Sequence, residues 1–211
     1  MADQGILLIV SGFSGAGKGT ITKAICNKYD NYALSVSATT RSPRPGEKEG
    51  EHYFFKSKEE FEDMIKNDAL IEYASYQDNY YGTPKDYVLK NLAEGRDVIL
   101  EIEVQGALKV HEKYPDTTMI FVTTPSAEIL AERLRGRGTE TENQVRGRLK
   151  RAVEESEFMD AYDYILVNDD LEDAVEELHR IARTEHKKSH RNRALISDTK
   201  NDLKKCVESY S

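Results

Sequence analysis

Ile6 to Val10 is an unbroken apolar run that gives way to glycines, the pattern of a short strand buried on both faces. A helix is expected from Lys18 to Tyr29. Asp97 to Ile102, Met119 to Thr123 and Tyr162 to Asn168 repeat the buried-strand pattern, with helical stretches between them. The clearest helix places Leu171, Ala174, Val175, Leu178, Ile181 and Ala182 at the i, i+3, i+4, i+7 spacing of one buried face. Thr124 followed by Pro125 marks another helix start, a capping threonine with proline in the first turn. Alternation of strand and helix implies an α/β fold with a parallel central sheet and helices on both sides.

Two stretches interrupt this alternation. Residues 35–83 are richer in aromatic and β-forming residues, at Ser35-Val36-Ser37, Tyr53-Phe54-Phe55 and Ile71-Glu72-Tyr73. They read as a small mixed insertion around one helix opened by a Ser57–Glu60 capping box. Residues 133–155 begin arginine-rich, with little apolar content and a second capping box at Thr139–Glu142, and read as a helical lid. The core then comprises 1–34, 84–132 and 156–185, one domain over 1–185. The tail, 186–211, opens basic from His186 to Arg193 and continues without a strong pattern, as a frayed terminal helix or a disordered end.

A chain of 211 residues and 24.0 kDa has length for one well-buried core. The apolar run at its start is far too short for a membrane span or a signal peptide. Cys26 and Cys206 lie far apart without metal-ligand or redox spacing, which reads as reduced thiols in a cytoplasmic protein. A net charge of −8 argues against a nucleic-acid-binding surface. Basic residues nonetheless gather in three places, and these carry the functional reading.

The first is Gly12-Phe13-Ser14-Gly15-Ala16-Gly17-Lys18, which fits G-x-x-x-x-G-K between an expected strand and an expected helix. Glycines let successive N–H groups turn inward onto phosphate oxygens, the helix N-terminus adds positive potential, and Lys18 brings a mobile charge to the β- and γ-phosphates. Gly19 stands where the motif usually has serine or threonine, and Thr20 follows. This Gly-Lys-Gly-Thr order resembles nucleotide kinases of the adenylate kinase type, and it leaves Thr20 as the candidate Mg²⁺ contact, direct or through water. The loop by itself implies nucleoside triphosphate binding, not a reaction.

The second is Ser37-Ala38-Thr39-Thr40-Arg41-Ser42-Pro43-Arg44-Pro45-Gly46-Glu47, where two arginines three apart sit on a proline-stiffened segment. Two guanidinium forks held this way can grip one phosphate. Tyr53, Glu72 and Asn79-Tyr80-Tyr81-Gly82-Thr83 follow, then Val104-Gln105-Gly106, Arg135-Gly136-Arg137-Gly138-Thr139 and Val167-Asn168-Asp169-Asp170. In this order the motifs resemble the guanylate kinase family from about Gly5 to Glu185.

The resemblance implies a three-layer P-loop kinase fold with a nucleoside-monophosphate-binding insertion and a lid. It also implies ATP-dependent phosphorylation of GMP, and of dGMP, with Mg²⁺. Glu72 matches a carboxylate that faces guanine, whose N1–H and 2-amino group are both donors where adenine presents a bare N1. Ser37 and Thr83 match hydroxyls near the base, and Arg41, Arg44, Tyr53 and Tyr81 the surroundings of the GMP phosphate. Glu47 belongs to the same GMP-binding set. Thr83, directly before Pro84, is also a candidate helix N-cap. Glu101 and Glu103 stand at a strand end, and Glu103 is favoured as the substrate-facing one. In the third basic region Arg137 and Arg148 match the family's lid, Arg133 one helical turn before Arg137 joins the expected ATP-binding set, and Asn168 and Asp169 match a segment near the adenine of ATP.

A GMP phosphate is already anionic, so alignment and charge neutralisation by Lys18, Arg41, Arg137 and Arg148 suffice without a general base. Two other readings compete: a scaffold-type binding module that keeps the fold, and a kinase for AMP, UMP or dTMP. The intact loop opposes the first, and Glu72 with Ser37 the second. Oligomeric state leaves no mark on the pattern.

Overall fold

The computed structural model describes residues 4–44, 46–76, 78–136 and 141–210. In chain order the elements are β1 (Leu7–Gly12), α1 (Lys18–Lys28), β2 (Tyr32–Leu34), β3 (Ala38–Thr39), β4 (Phe54–Phe55), α2 (Lys58–Lys66), β5 (Leu70–Tyr76) and β6 (Asn79–Pro84). They continue with α3 (Lys85–Ala93), β7 (Asp97–Glu101), α4 (Val104–Lys113), β8 (Thr118–Thr123), α5 (Ala127–Arg135), α6 (Glu142–Ser156), β9 (Tyr164–Val167), α7 (Leu171–Glu185) and α8 (Arg193–Glu208).

The central sheet has five strands in the order β2-β7-β1-β8-β9, every pair parallel. Its apolar run splits by the two-residue period of a strand. Leu8 and Val10 of β1 join Ile21, Ile25, Val175 and Leu178 under α1 and α7. Leu7 and Ile9 join Val88, Val104, Val110 and Phe121 under α3 and α4. Three layers result, as expected. β1 continues past the predicted run because Ser11 and Gly12 still pair with Phe121 and Val122.

The smaller sheet is mixed, ordered β4-β3-β6-β5, and closes over Ala38, Phe61 and Leu70. The β-forming residues Ser35–Ser37 are not a strand. These residues cross between the sheets, the Ser35 N–H reaching the Ile99 carbonyl at 2.9 Å while the Ser37 carbonyl accepts from the Phe54 N–H at 2.9 Å. Helix α2 opens on the expected Ser57–Glu60 capping box.

Other expected caps fall elsewhere. Helix α5 is capped by Ser126, whose Oγ accepts from the Ile129 N–H at 3.3 Å, while the Thr124 hydroxyl donates to the Ser126 carbonyl at 2.8 Å. Pro125 thus precedes the cap. Helix α6 is opened by a Thr141–Gln144 box; Glu142 is the first helical residue and cannot close a box, and Thr139 lies outside the described residues. Thr83 caps nothing, because the chain stays extended through Pro84 at ψ 126°, so α3 begins at Lys85.

One buried carboxylate ties distant segments at the amino end of the sheet. Asp97, 2% exposed, accepts from the Ile6 N–H at 3.0 Å and pairs with His186 Nε2 at 2.8 Å. Replacing Asp97 by alanine strands a buried N–H and a histidine together, and is expected to cost about 2–4 kcal/mol. The urea midpoint should fall with an unchanged m-value.

The tail is ordered as helix rather than frayed. α8 runs to Glu208 and is exposed along its length.

Candidate active site

The phosphate loop joins β1 to α1 at the carboxyl end of the sheet, where open α/β folds bind ligands. Gly17 caps α1 at φ 93°, and a Cβ there would lie 2.3 Å from Asn168 Nδ2. Only glycine satisfies both demands. The loop borders an open cavity of about 530 Å³ that also meets Thr20, Lys23 and Glu101. Lys18 Nζ donates to the carbonyls of Gly12 at 2.6 Å and Phe13 at 3.1 Å, poised over the loop it would share with phosphate. Phe13 packs into the cluster of Leu130, Leu134 and Val145 that holds α5 against α6, and into the main core as well.

Helix α6 contributes Arg148, whose Nη1 donates to Ser14 Oγ at 2.7 Å. Arg133 reaches the loop from α5: Nη1 donates to the Asn168 carbonyl at 2.8 Å and Nη2 to that of Asp169 at 3.2 Å. Asn168 is buried, and its Nδ2 donates to the Ala16 carbonyl at 2.7 Å. Arg133 and Asn168 therefore brace the loop after β9 against the phosphate loop. Asp170, the last residue of that motif, caps α7 through the Glu172 and Asp173 N–H groups. Arg137 lies outside the described residues.

The second group sits on the small sheet. Arg41 is gripped by Glu47, its Nη2 lying 2.9 and 3.0 Å from the two carboxylate oxygens, with Nη1 on the Ser42 carbonyl at 2.7 Å. The guanidinium holds the Glu47 carboxyl below its ordinary range. It also lies 5.3 Å from the Tyr53 ring centre, and that ring meets Tyr81 edge-on at 6.1 Å. The Arg44 N–H donates to Glu47 at 2.7 Å, while its side chain is exposed. Glu47 thus organises the whole arginine segment. Ser37 sits partly buried just before β3, its carbonyl accepting from the Phe54 N–H.

Glu72 on β5 takes the fully buried Thr83 hydroxyl at 2.9 Å. Burial pushes its carboxyl above the ordinary range, against the pull of the Thr83 bond and the Lys109 charge. A Cβ on Gly106 would lie 3.5 Å from Glu72 Oε2, so the amino end of α4 abuts the carboxylate.

Glu101 and Glu103 stand at the carboxyl end of β7. Glu101 accepts from Thr22 Oγ1 at 2.9 Å and lies beside Gly19, where an added Cβ would come within 3.3 Å of Oε1. Two residues on, Glu103 stands at the N-cap position of α4 without a side-chain capping bond and pairs with Arg151 of α6. Arg151 also pairs with the nearly buried Glu155 at 3.1 Å. Thr22, Arg151 and Glu155 escape sequence reasoning; the only hint is that Arg151 follows Arg148 by one helical turn.

The guanylate kinase family model matches residues 4–185. A guanylate kinase of Caldanaerobacter subterraneus subsp. tengcongensis is 52% identical over 91% of this chain and 93% of its own length. That of Lactococcus lactis subsp. lactis is 50% identical over 88% of this chain and 91% of its own. Among solved structures, guanylate kinase from Anaplasma phagocytophilum superposes with a TM-score of 0.71 at 34% identity, covering 90% of both chains. The arrangement of phosphate loop, gripped arginine and buried carboxylate occurs in a chain half identical to these enzymes along most of its length, and the chain belongs to the guanylate kinase family.

Proposed function

We propose that this chain transfers the terminal phosphoryl group of ATP to GMP, and to dGMP, releasing ADP. The observation that carries the acceptor choice is the Glu72 carboxylate, held by the buried Thr83 hydroxyl and pushed up by burial. Two donors on guanine satisfy such a carboxylate; adenine offers an unprotonated N1 and leaves a buried charge unpaired.

In this reading residues 35–83 form the acceptor arm and 133–155 the lid. Ser37, Thr83 and Glu72 meet the base, while Arg41, Arg44, Tyr53 and Tyr81 receive the GMP phosphate, with Glu47 orienting Arg41. The loop's N–H groups and Lys18 cradle the ATP phosphates. Arg133, Asn168 and Asp169 border the adenosine, and Arg137 and Arg148 neutralise the transferring group. Glu47 presents Arg41 before the acceptor arrives, so alignment is in place before chemistry. Lid closure excludes water that would otherwise hydrolyse ATP.

Among the described residues no group of three or more His, Cys, Asp or Glu is set to hold a metal by itself. A hydroxyl from Thr20 and a carboxylate from Glu101 form a donor set suited to Mg²⁺ carried in by the triphosphate. The ion would supply neutralisation of charge on the β- and γ-phosphates. Among the described residues no helix is long and apolar enough to cross a membrane; Cys26 and Cys206 are free thiols, the state a reducing cytoplasm maintains.

The test is a coupled ADP-release assay offering GMP, dGMP, AMP, UMP and dTMP in parallel. Strong turnover with GMP, weaker with dGMP and background with the rest is expected. No turnover from folded protein with any acceptor would sink the reading in favour of a binding module.

A further inference from the structure

Helix α6 meets two parts of the cleft at once. Its Arg148 donates to Ser14 Oγ of the phosphate loop, and Arg151, three residues on, pairs with Glu103 at the start of α4. The same helix start borders the buried Glu72 carboxylate, because a Cβ on Gly106 would lie 3.5 Å from Glu72 Oε2. An N-cap side chain lies on the face of the residue three positions on, so Glu103 and Gly106 share that face. A pair such as Lys66 with Asp63 sits within one exposed helix and holds no second element. The Arg151 pair spans 48 residues and two elements.

Arg151 is also anchored. Its Nε donates to Glu155 Oε1 at 3.1 Å, one turn further along α6, and the Glu155 side chain is only 11% exposed. Glu155 Oε2 is buried without a hydrogen-bond partner among the described residues. Burial, and next the Glu103 charge, raise the Glu155 carboxyl above its ordinary range, while Arg151 and Lys18 pull it down. One guanidinium therefore bridges two carboxyl groups that repel each other. Its Nε edge takes the buried one and its Nη2 the one at the cleft, a division that a single ammonium cannot make. With no capping bond of its own to α4, Glu103 takes its direction from Arg151.

We propose that Arg151 is a positioning residue for the acceptor: anchored on Glu155, it holds the Glu103 carboxylate toward the nucleoside's N–H and O–H donors, so that α6 completes the GMP site. The inference rests on the reading of Glu72 and Glu103 as acceptor-facing.

Steady-state kinetics and calorimetric GMP binding on Arg151→Met, which keeps an apolar stem and removes the guanidinium, test this. KM and Kd for GMP should rise about tenfold, with kcat and the KM for ATP within about twofold of the parent. Glu103→Ala should show the same rise, and adding Arg151→Met to it should change nothing further. Should Arg151→Met melt low because Glu155 is left buried and unpaired, Arg151→Met combined with Glu155→Gln should recover the melting temperature and keep the raised KM. A parent that binds no GMP would overturn the functional reading and this proposal with it. With an active parent, an unchanged KM for GMP in Arg151→Met, a rise shared equally by ATP, or losses that simply add to those of Glu103→Ala would overturn the proposal alone. So would a KM for GMP that returns to normal together with the melting temperature.

Discussion

Replacing Glu72 by glutamine is expected to lower kcat/KM for GMP by about 10³-fold and to raise AMP turnover above background. The amide keeps one acceptor oxygen but turns an N–H₂ toward a base edge that presents two donors. Toward adenine the same amide is complementary, since its N–H₂ can donate to N1 and its oxygen accept from N6. Thr83, which donates to Glu72 Oε1 at 2.9 Å, can hold the amide oxygen in the same place. Steady-state kinetics with both acceptors check the swap in preference. Unchanged selectivity would remove Glu72 from base recognition.

The same substitution has a pH signature. Burial raises the Glu72 carboxyl in the folded protein above its unfolded value. The folded state therefore holds this proton more tightly, and its stability contribution falls as pH rises through the raised value. GMP recognition needs the ionised form and runs the other way: KM for GMP should rise as pH falls through that value, at a pH where an ordinary carboxylate is still ionised. In Glu72→Gln both slopes should flatten. Thermal stability near neutral pH should increase, because a buried charge kept for recognition has been removed.

Four of the five central strands were legible as apolar runs, β1, β7 and β8 through burial on both faces, while the three-residue β2 left too short a pattern to read and α7 carried its stripe openly. Helix starts were less legible for a local reason: Thr124 and Ser126 both present hydroxyls near the same turn, and only the backbone path decides which one caps. At Thr83 a tertiary contact won over a local one, since its hydroxyl serves Glu72 and the strand continues through Pro84. The arginine segment and Glu72 could be placed through motif order, which preserves chemistry that no periodicity encodes. The Arg151 bridge to Glu103 and Glu155 had no such signal, because charges on a helix face look solvated until another element meets them. In α8 the poor propensity of the residues masked a helix whose stripe is short and bare.

Lys18→Ala is expected to lower kcat about 10²–10³-fold with the fold intact. Its ammonium donates to the Gly12 and Phe13 carbonyls, so it already stands at the mouth of the phosphate cradle without belonging to the core. Phosphoryl transfer spreads charge over the oxygens of the moving group, and a lysine placed there stabilises the transition state more than the ground state. The loop itself keeps its shape through Gly17, the Ala16 N–H bond to Phe13, and the Asn168 brace on the Ala16 carbonyl. Removing Lys18 leaves two carbonyls beside an open cavity where water replaces the ammonium, so the stability loss should stay near about 1 kcal/mol. Thermal melts alongside saturating-substrate kinetics separate the outcomes. A variant that melts far below the parent would make Lys18 a structural strut, and one that turns over normally would take it out of catalysis.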